Sequence, residues 1–344
     1  LARERENDCR RTENGEAKRS KIYLREKLTG KGGPKNMETE LKRRHVVSVS
    51  IGSSTRNHSI EADVMGVPFL IERIGTDGDK KKAIQMIRDF DGKIDAIGLG
   101  GIDLYVHVGQ KKYMIKDAKT LYDAAKITPV YDGSILKNSI EKEFIAQLGR
   151  EGRYLKNGTK VLLVSSADRF GMAEAFANAG CDMIYGDFIF SLNLKIPIKN
   201  LSVLRMVAKT LLPIFSQLPF EMIYPTGKEQ LTRKPRHKEF FEWADVIAGD
   251  FNYINKYMPE DLRGKVIITN TVTSKDVEDM RKRKAATLIT TTPDFGGRSF
   301  GTNVMEGVYA TLLGKTRQDP PTEKDFREFV KKENLKPRVL QITE

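Results

Sequence analysis

The chain has 344 residues, 39% of them hydrophobic and 31% charged, with a formal net charge of +13. That length supports one large or two medium buried cores, and two cysteines, Cys9 and Cys181, are too few for a disulfide-stapled framework or a cysteine zinc site. No window approaches the ~18 uninterrupted apolar residues that a membrane span requires, and the most apolar stretch, 183–194, contains Asp187 and Asn193.

Residues 1–36 hold 11 Lys+Arg against 6 Asp+Glu, show no periodicity and lack an apolar core of the signal-peptide type. They are expected to be a disordered or non-native extension. Lys31-Gly32-Gly33 can be encoded as a purine-rich ribosome-binding sequence just upstream of Met37, which makes Met37 the expected start of a bacterial reading frame. The remaining chain is only mildly basic and carries no zinc-finger, RRM or KH pattern, so its charge points to anionic small molecules rather than nucleic acid. The expected partners are a small anionic metabolite and a second copy of the chain in a homodimer, with neither membrane nor nucleic acid.

From His45 onward the text alternates between β-branched runs and helical spacings. Strands are expected at 46–51 and 69–74, each running into a polar, glycine-bearing loop. Apolar residues at Ala83, Ile84, Ile87 and Phe90 predict a helix over 80–90, and a strand at 94–99 ends in Gly100-Gly101. A helix over 119–126, a strand at 128–131 and a helix over 137–148 complete a first α/β domain over 45–150. The polar segment 150–158 reads as a linker. A strand at 160–164, a helix over 169–179 closed by Gly180, and strands at 183–185, 220–224, 245–248, 265–269 and 287–291 then predict a second domain over 158–318, a Rossmann-like doubly wound parallel sheet. The expected fold class is α/β with two open domains, and 319–344 is expected to be a peripheral tail.

Open parallel sheets bind ligands at the carboxyl ends of their strands. Here those ends are polar and glycine-rich in series, at 52–54, 75–78, 98–103, 132–134, 165–171, 186–187, 269–273 and 290–303, which suggests a lined cleft rather than isolated turns. The four histidines form no HxxxH or HxH pair, so no metal site is expected. The segment 166–171 occupies the place of a G-x-G-x-x-G fingerprint, but only Gly171 matches it, and Asp168 puts a carboxylate where a pyrophosphate would approach. Asp187, 16 residues after Gly171, stands close to where a ribose-binding acid belongs. Arg298, before the apolar helix expected over 304–313, is placed to grip a phosphate or carboxylate bidentately, with Thr302 and Asn303 either completing an anion nest or capping that helix.

Several strings resemble bacterial proteins labelled quinate or shikimate 5-dehydrogenase. They include Ser50-Ile51-Gly52-Ser53-Ser54, Arg73-Ile74-Gly75-Thr76-Asp77-Gly78-Asp79, Gly98-Leu99-Gly100-Gly101-Ile102-Asp103, Asp168-Arg169-Phe170-Gly171-Met172, Tyr224-Pro225-Thr226-Gly227 and Gly297-Arg298-Ser299-Phe300-Gly301-Thr302-Asn303. The resemblance covers most of 46–315 and implies a cytoplasmic bacterial NAD(P)-dependent oxidoreductase acting on a polar hydroxy or keto acid. It places an N-terminal substrate domain before a C-terminal dinucleotide domain, with His58-Ser59 as a remnant of the substrate loop. The family's catalytic lysine and aspartate runs have no match, so Lys137 with Asp132 is nominated as the physical substitute for proton transfer, the alternative being an ordinary solvated lysine on a helix N-terminal turn. Substrate contacts are then expected at Gly52, Ser53, Ser54, His58, Asp77, Gly100, Gly101 and Asp103. Contacts to NAD or NADP are expected at Ser165, Ser166, Asp168, Arg169, Gly171, Asp187, Thr271, Arg298, Thr302 and Asn303. The alternative is a non-redox α/β protein that binds an anionic or phosphorylated metabolite and keeps only a degenerate fingerprint.

Overall fold

Hydrogen-bond register sets where the first sheet ends. In the computed structural model, which describes residues 42–109, 111–219 and 233–343, strand β1 (Arg44–Ser50) runs parallel to both β3 (Val67–Gly75) and β4 (Ala96–Gly100). Ser50 is paired with Gly75 on one side and Gly100 on the other, so three strands stop at one level and their loops share one rim. Adding β2 (His58–Val64) and β7 (Val130–Tyr131) gives the order β2-β3-β1-β4-β7, and β5 (Tyr105–Val108) and β6 (Lys111–Met114) form a separate antiparallel hairpin. All of the second sheet and all of the first but the facing ends of β2 and β3 belong to one compact unit, Arg44–Ala62 with Phe69–Glu344. The turn Asp63–Pro68, outside that unit, is closed by the Gly66 N–H donating to Asp63 at 2.8 Å. The expected extension 1–36, the strand expected at 220–224 and the string Tyr224-Pro225-Thr226-Gly227 lie outside the described residues.

Side-chain alternation decides how the second sheet is covered. It contains β8 (Lys160–Leu163), β9 (Asp182–Tyr185), β10 (Val246–Ala248), β11 (Val266–Thr269), β12 (Thr287–Thr290) and β13 (Arg338–Gln341). Val161, Leu163, Ala248, Ile268 and Ile289 pack into one core, whereas Leu162, Val164, Ile247, Ile267 and Leu288 pack into another. The sheet is therefore buried on both faces, as a parallel sheet must be. Its order is β9-β8-β10-β11-β12-β13, parallel except for the antiparallel β13. In order of the parallel strands this is 2-1-3-4-5, one of the two common doubly wound orders, so the expected α/β architecture stands.

Among the described residues the chain passes between the two lobes three times. The first passage is helix α3, built from Ser134–Leu136, a π-helical turn at Lys137–Glu141 and Lys142–Glu151, which follows helices α1 (Lys80–Phe90) and α2 (Lys116–Tyr122) and packs against α4 (Phe170–Asn178). After β12 the chain returns, and helix α9 (Thr302–Leu312) covers β1, β4 and β7 of the first sheet. It then crosses again through α10 (Glu323–Glu333) to β13. The intervening helices of the second lobe are α5 (Leu201–Phe215), α6 (Lys238–Trp243), α7 (Phe251–Tyr257) and α8 (Ser274–Lys282). The boundaries expected from sequence are revised accordingly. Segment 158–318 feeds both lobes, 319–344 completes the second sheet, and helix α3 continues to Glu151, into the first two residues of the expected linker.

Close backbone contacts hold these passages together. Gly133, at φ 89°, lies against the start of α9, where a Cβ would come 2.6 Å from Thr302 Oγ1 and 2.8 Å from Asn303 N. A Cβ on Gly171 would come 3.0 Å from both Lys137 O and Asn138 Cα, so this glycine lets α4 approach the π turn rather than a strand as a dinucleotide glycine would. Gly171→Ala is expected to cost about 1–3 kcal/mol in urea unfolding, because the opposing atoms are backbone; an unchanged midpoint would contradict the close approach.

Glu306 ties the first two passages. Only 1% exposed on α9, it accepts the Leu136 N–H at 2.9 Å. Burial, reinforced by Asp132, pushes its carboxyl from the ordinary 4.5 up to about 8. The folded state thus retains a proton that the unfolded chain releases, so stability from this group is present at low pH and is lost as pH rises toward 8. Glu306→Gln cannot ionise, and its melting temperature should rise relative to wild type on going from about pH 5 to about pH 8.5. A pH-independent difference would contradict the assignment.

Candidate functional site

Each sheet has a point where neighbouring connections leave in opposite directions, at β1/β4 in the first lobe and β8/β10 in the second. Ligands of open α/β sheets sit outside the carboxyl ends at such points. Here both open on one cleft of about 210 Å³. The first lobe lines it with Ser48, Ser50, Gly52, Arg56, Arg73, Gly100, Gly101 and Asp103, and the second with Asp168, Arg169, Asp250, Asn252, Tyr253, Lys256, Asn270 and Thr271. The connecting passages add Asp132, Lys137 and the run from Arg298 through Asn303.

The floor is a network of buried charges. Lys137 Nζ donates to Asp103 at 2.6 Å and to Asp168 at 2.5 Å, taking one carboxylate from each lobe. Burial alone would lower the lysine's pKa, but Asp103 and Asp168 outweigh it and raise the value. Asp103 is pushed upward by burial and by the facing Asp168, whereas Lys137 and Arg169 overcome the burial of Asp168 and hold it low. The expected pairing of Lys137 with Asp132 is corrected. Asp132 accepts the Leu104 and Tyr105 amides at 2.7 and 2.8 Å, and the Ser134 amide and hydroxyl at 3.0 and 2.7 Å. It organises the loop; it is not the lysine's partner.

Arg169 is 1% exposed and pairs with Glu141 and, at 3.3 Å, with Asp250. Its guanidinium is tied to the chain's own acids rather than left free for the dinucleotide contact expected of it. The fingerprint turn is similarly filled from within. Asp187 Oδ1 accepts the Ser166 and Ala167 amides at 3.0 and 2.9 Å, so the amides that would face a pyrophosphate already bind a protein carboxylate. Ser165 and Ser166 are buried beneath this turn and do not line the cleft.

The rim has the opposite character. Arg73 reaches Ser53 O at 3.0 Å and Ser50 Oγ at 2.9 Å; Arg298 donates to Arg56 O at 2.7 Å; Arg56 donates across to Asn252 Oδ1 at 3.0 Å. All three thus contact neutral oxygens, and none forms an ion pair among the described residues. Burial, then repulsion from Arg56 and Arg298, lowers Arg73 to about 10, with Asp77 only partly offsetting this. Burial and Arg56 lower Arg298 in the same way. The α9 N-terminus also faces the cleft with no side-chain cap, because Gly301 occupies the N-cap and Asn303 donates instead to Ser48 Oγ at 2.8 Å.

The other expected contacts divide between the cleft and its supports. Gly52, Gly100, Gly101, Asp103, Thr271, Arg298, Thr302 and Asn303 come together in the cleft. Asp77 instead accepts the Ser54 amide at 2.7 Å, and Ser53 caps the turn Ser54–Arg56. His58 lies on Phe300 with ring centroids 5.4 Å apart, and burial, then Arg298, lowers its pKa. Sequence reading passed over Arg56, Arg73, Asp250, Asn252, Tyr253, Lys256 and Asn270, although Arg73 stood in a recognised string and Asn270 in a recognised strand-end loop.

Solved structures align along most of the chain at low identity. A galactofuranose-binding protein is 14% identical over 87% of this chain and 95% of its own, with a TM-score of 0.34. A periplasmic ribose ABC transporter protein from Conexibacter woesei DSM 14684 is 8% identical over 87% and 92%, with a TM-score of 0.33. A glucose-galactose binding protein from Geobacillus stearothermophilus is 11% identical over 88% and 98%, also at 0.33. These are sugar-binding proteins, one of them periplasmic, and not dehydrogenases. The resemblance to quinate or shikimate 5-dehydrogenases is corrected by them, together with the oxidoreductase activity and cytoplasmic location it implied. TM-scores this low carry no argument about what the present chain binds. No curated protein matches the sequence. A family model described as Domain of unknown function (DUF8753) matches residues 45–132, and a second matches 135–342. The two meet where the first inter-lobe passage begins, and by the longer match the chain belongs to the family described as Domain of unknown function (DUF8754).

Proposed function

We propose that the cleft binds a small anionic metabolite without redox chemistry. The observation that carries this reading is the convergence of Arg56, Arg73 and Arg298 on one rim with neutral oxygens as partners. Guanidinium groups held near one another in a partly desolvated site gain most from an external anion, which each can contact through two N–H groups. The uncapped start of α9 adds backbone donors of the same sign. The size of the cleft supports a small ligand, since 210 Å³ lies below the ~300–1,000 Å³ typical of pockets for drug-sized molecules.

Arg298→Ala tests the reading, with inorganic phosphate as the probe in isothermal titration calorimetry. The variant should bind phosphate about tenfold more weakly, with a melting temperature close to wild type, because Arg298 makes its side-chain bond to a neighbouring carbonyl rather than to a buried acid. Unchanged phosphate affinity with a large loss of stability would assign the residue to structure and overturn the proposal.

A further inference from the structure

The cleft is polarised, and its polarity defines the ligand more narrowly than its rim does. On one side stand Arg56, Arg73 and Arg298, with Lys256 one turn beyond Asn252, the residue to which Arg56 bonds. Lys256 has no ion pair among the described residues; its ammonium lies 5.4 Å from the centre of the Tyr257 ring. On the floor, Lys137 and Arg169 are outnumbered by Asp103, Asp132, Glu141, Asp168 and Asp250. Asp168 and Asp250 are more open to solvent than Asp103, with side chains 31% and 21% exposed against 12%.

A carboxylate ligand would neutralise one guanidinium and leave two in mutual repulsion, whereas a phosphoryl dianion offers three acceptor oxygens and more charge. A second negative group at the far end of the same ligand would meet Asp168 and Asp250. A hydroxyl-bearing, uncharged end would instead donate to those carboxylates, which accept hydrogen bonds in water-poor sites. Tyr253 lines the same end with its phenol, as does Asn270, whose amide donates to Asp250 Oδ2 at 3.1 Å.

We infer that the ligand is a phosphate monoester of a small sugar or polyol, bound with its phosphoryl group at the Arg56–Arg73–Arg298 rim and its hydroxyl groups at Asp168 and Asp250. This rests on the anion-binding reading above.

The test is calorimetric titration of the full chain with ribose 5-phosphate, glucose 6-phosphate and glycerol 3-phosphate. Inorganic phosphate, ribose and ribulose 1,5-bisphosphate serve as comparisons. At least one monophosphate should bind about tenfold or more tightly than every comparison ligand. Asp168→Asn should narrow that preference by weakening the monophosphate and strengthening the bisphosphate, with phosphate affinity retained as evidence of folding. If inorganic phosphate or the bisphosphate binds as tightly as every monophosphate, the hydroxyl end is refuted while the anion site stands. If no anion binds, both readings fall.

Discussion

Like charges brought together with no ion pair among the described residues are the constraint on which the cleft depends. Strand register enforces it. Arg73 pairs with Ser48 across β1 and β3, two residues before the shared strand end at Ser50 and Gly75. The returning chain then lays Arg298 against the Arg56 carbonyl. Carbonyl and hydroxyl oxygens hold these guanidinium groups in place and satisfy part of their hydrogen-bonding capacity, but do not neutralise them. Burial, then repulsion from Arg56 and Arg298, lowers the pKa of Arg73, and that repulsion favours a bound anion.

The floor works against the rim. Lys137 sits on a π-helical turn and holds Asp103 of the first lobe and Asp168 of the second, so a buried ammonium joins both halves of the cleft. π turns of this kind occur often at functional sites. Around it, Arg169 is neutralised by Glu141 and Asp250, and Glu141 also accepts from Thr291 on the returning passage at 3.0 Å. Opening the lobes would separate Asp103 from Asp168 across their common lysine. Removing one partner of such a buried set costs about 3–5 kcal/mol, which makes the floor a rigid support for the rim.

Much of the architecture was legible because it depends on local patterns. The helix expected over 80–90 is present at Lys80–Phe90, and the apolar runs at 46–51, 160–164 and 265–269 are strands within one or two residues. The cleft location was legible from the polar, glycine-bearing strand ends. Long-range choices were not. The run 304–310 is buried on all sides, so its pattern gives no face to dock and no hint that it covers the first sheet rather than the second. Asp187 has nearly the spacing of a ribose-binding acid, yet spacing does not reveal that its carboxylate folds back onto the Ser166 and Ala167 amides. Arg56 and Arg73 looked like ordinary charges because their meeting depends on β1–β3 register and on the passage that returns Arg298.

The central claim is spatial: an anion belongs between three guanidinium groups. Tungstate, an electron-dense phosphate analogue, can be located by anomalous diffraction from a soaked crystal of the full chain. The account predicts an anomalous peak within hydrogen-bonding distance of Arg56, Arg73 and Arg298. Tungstate bound only elsewhere on the surface, with the arginines still contacting nothing but protein oxygens, would contradict it.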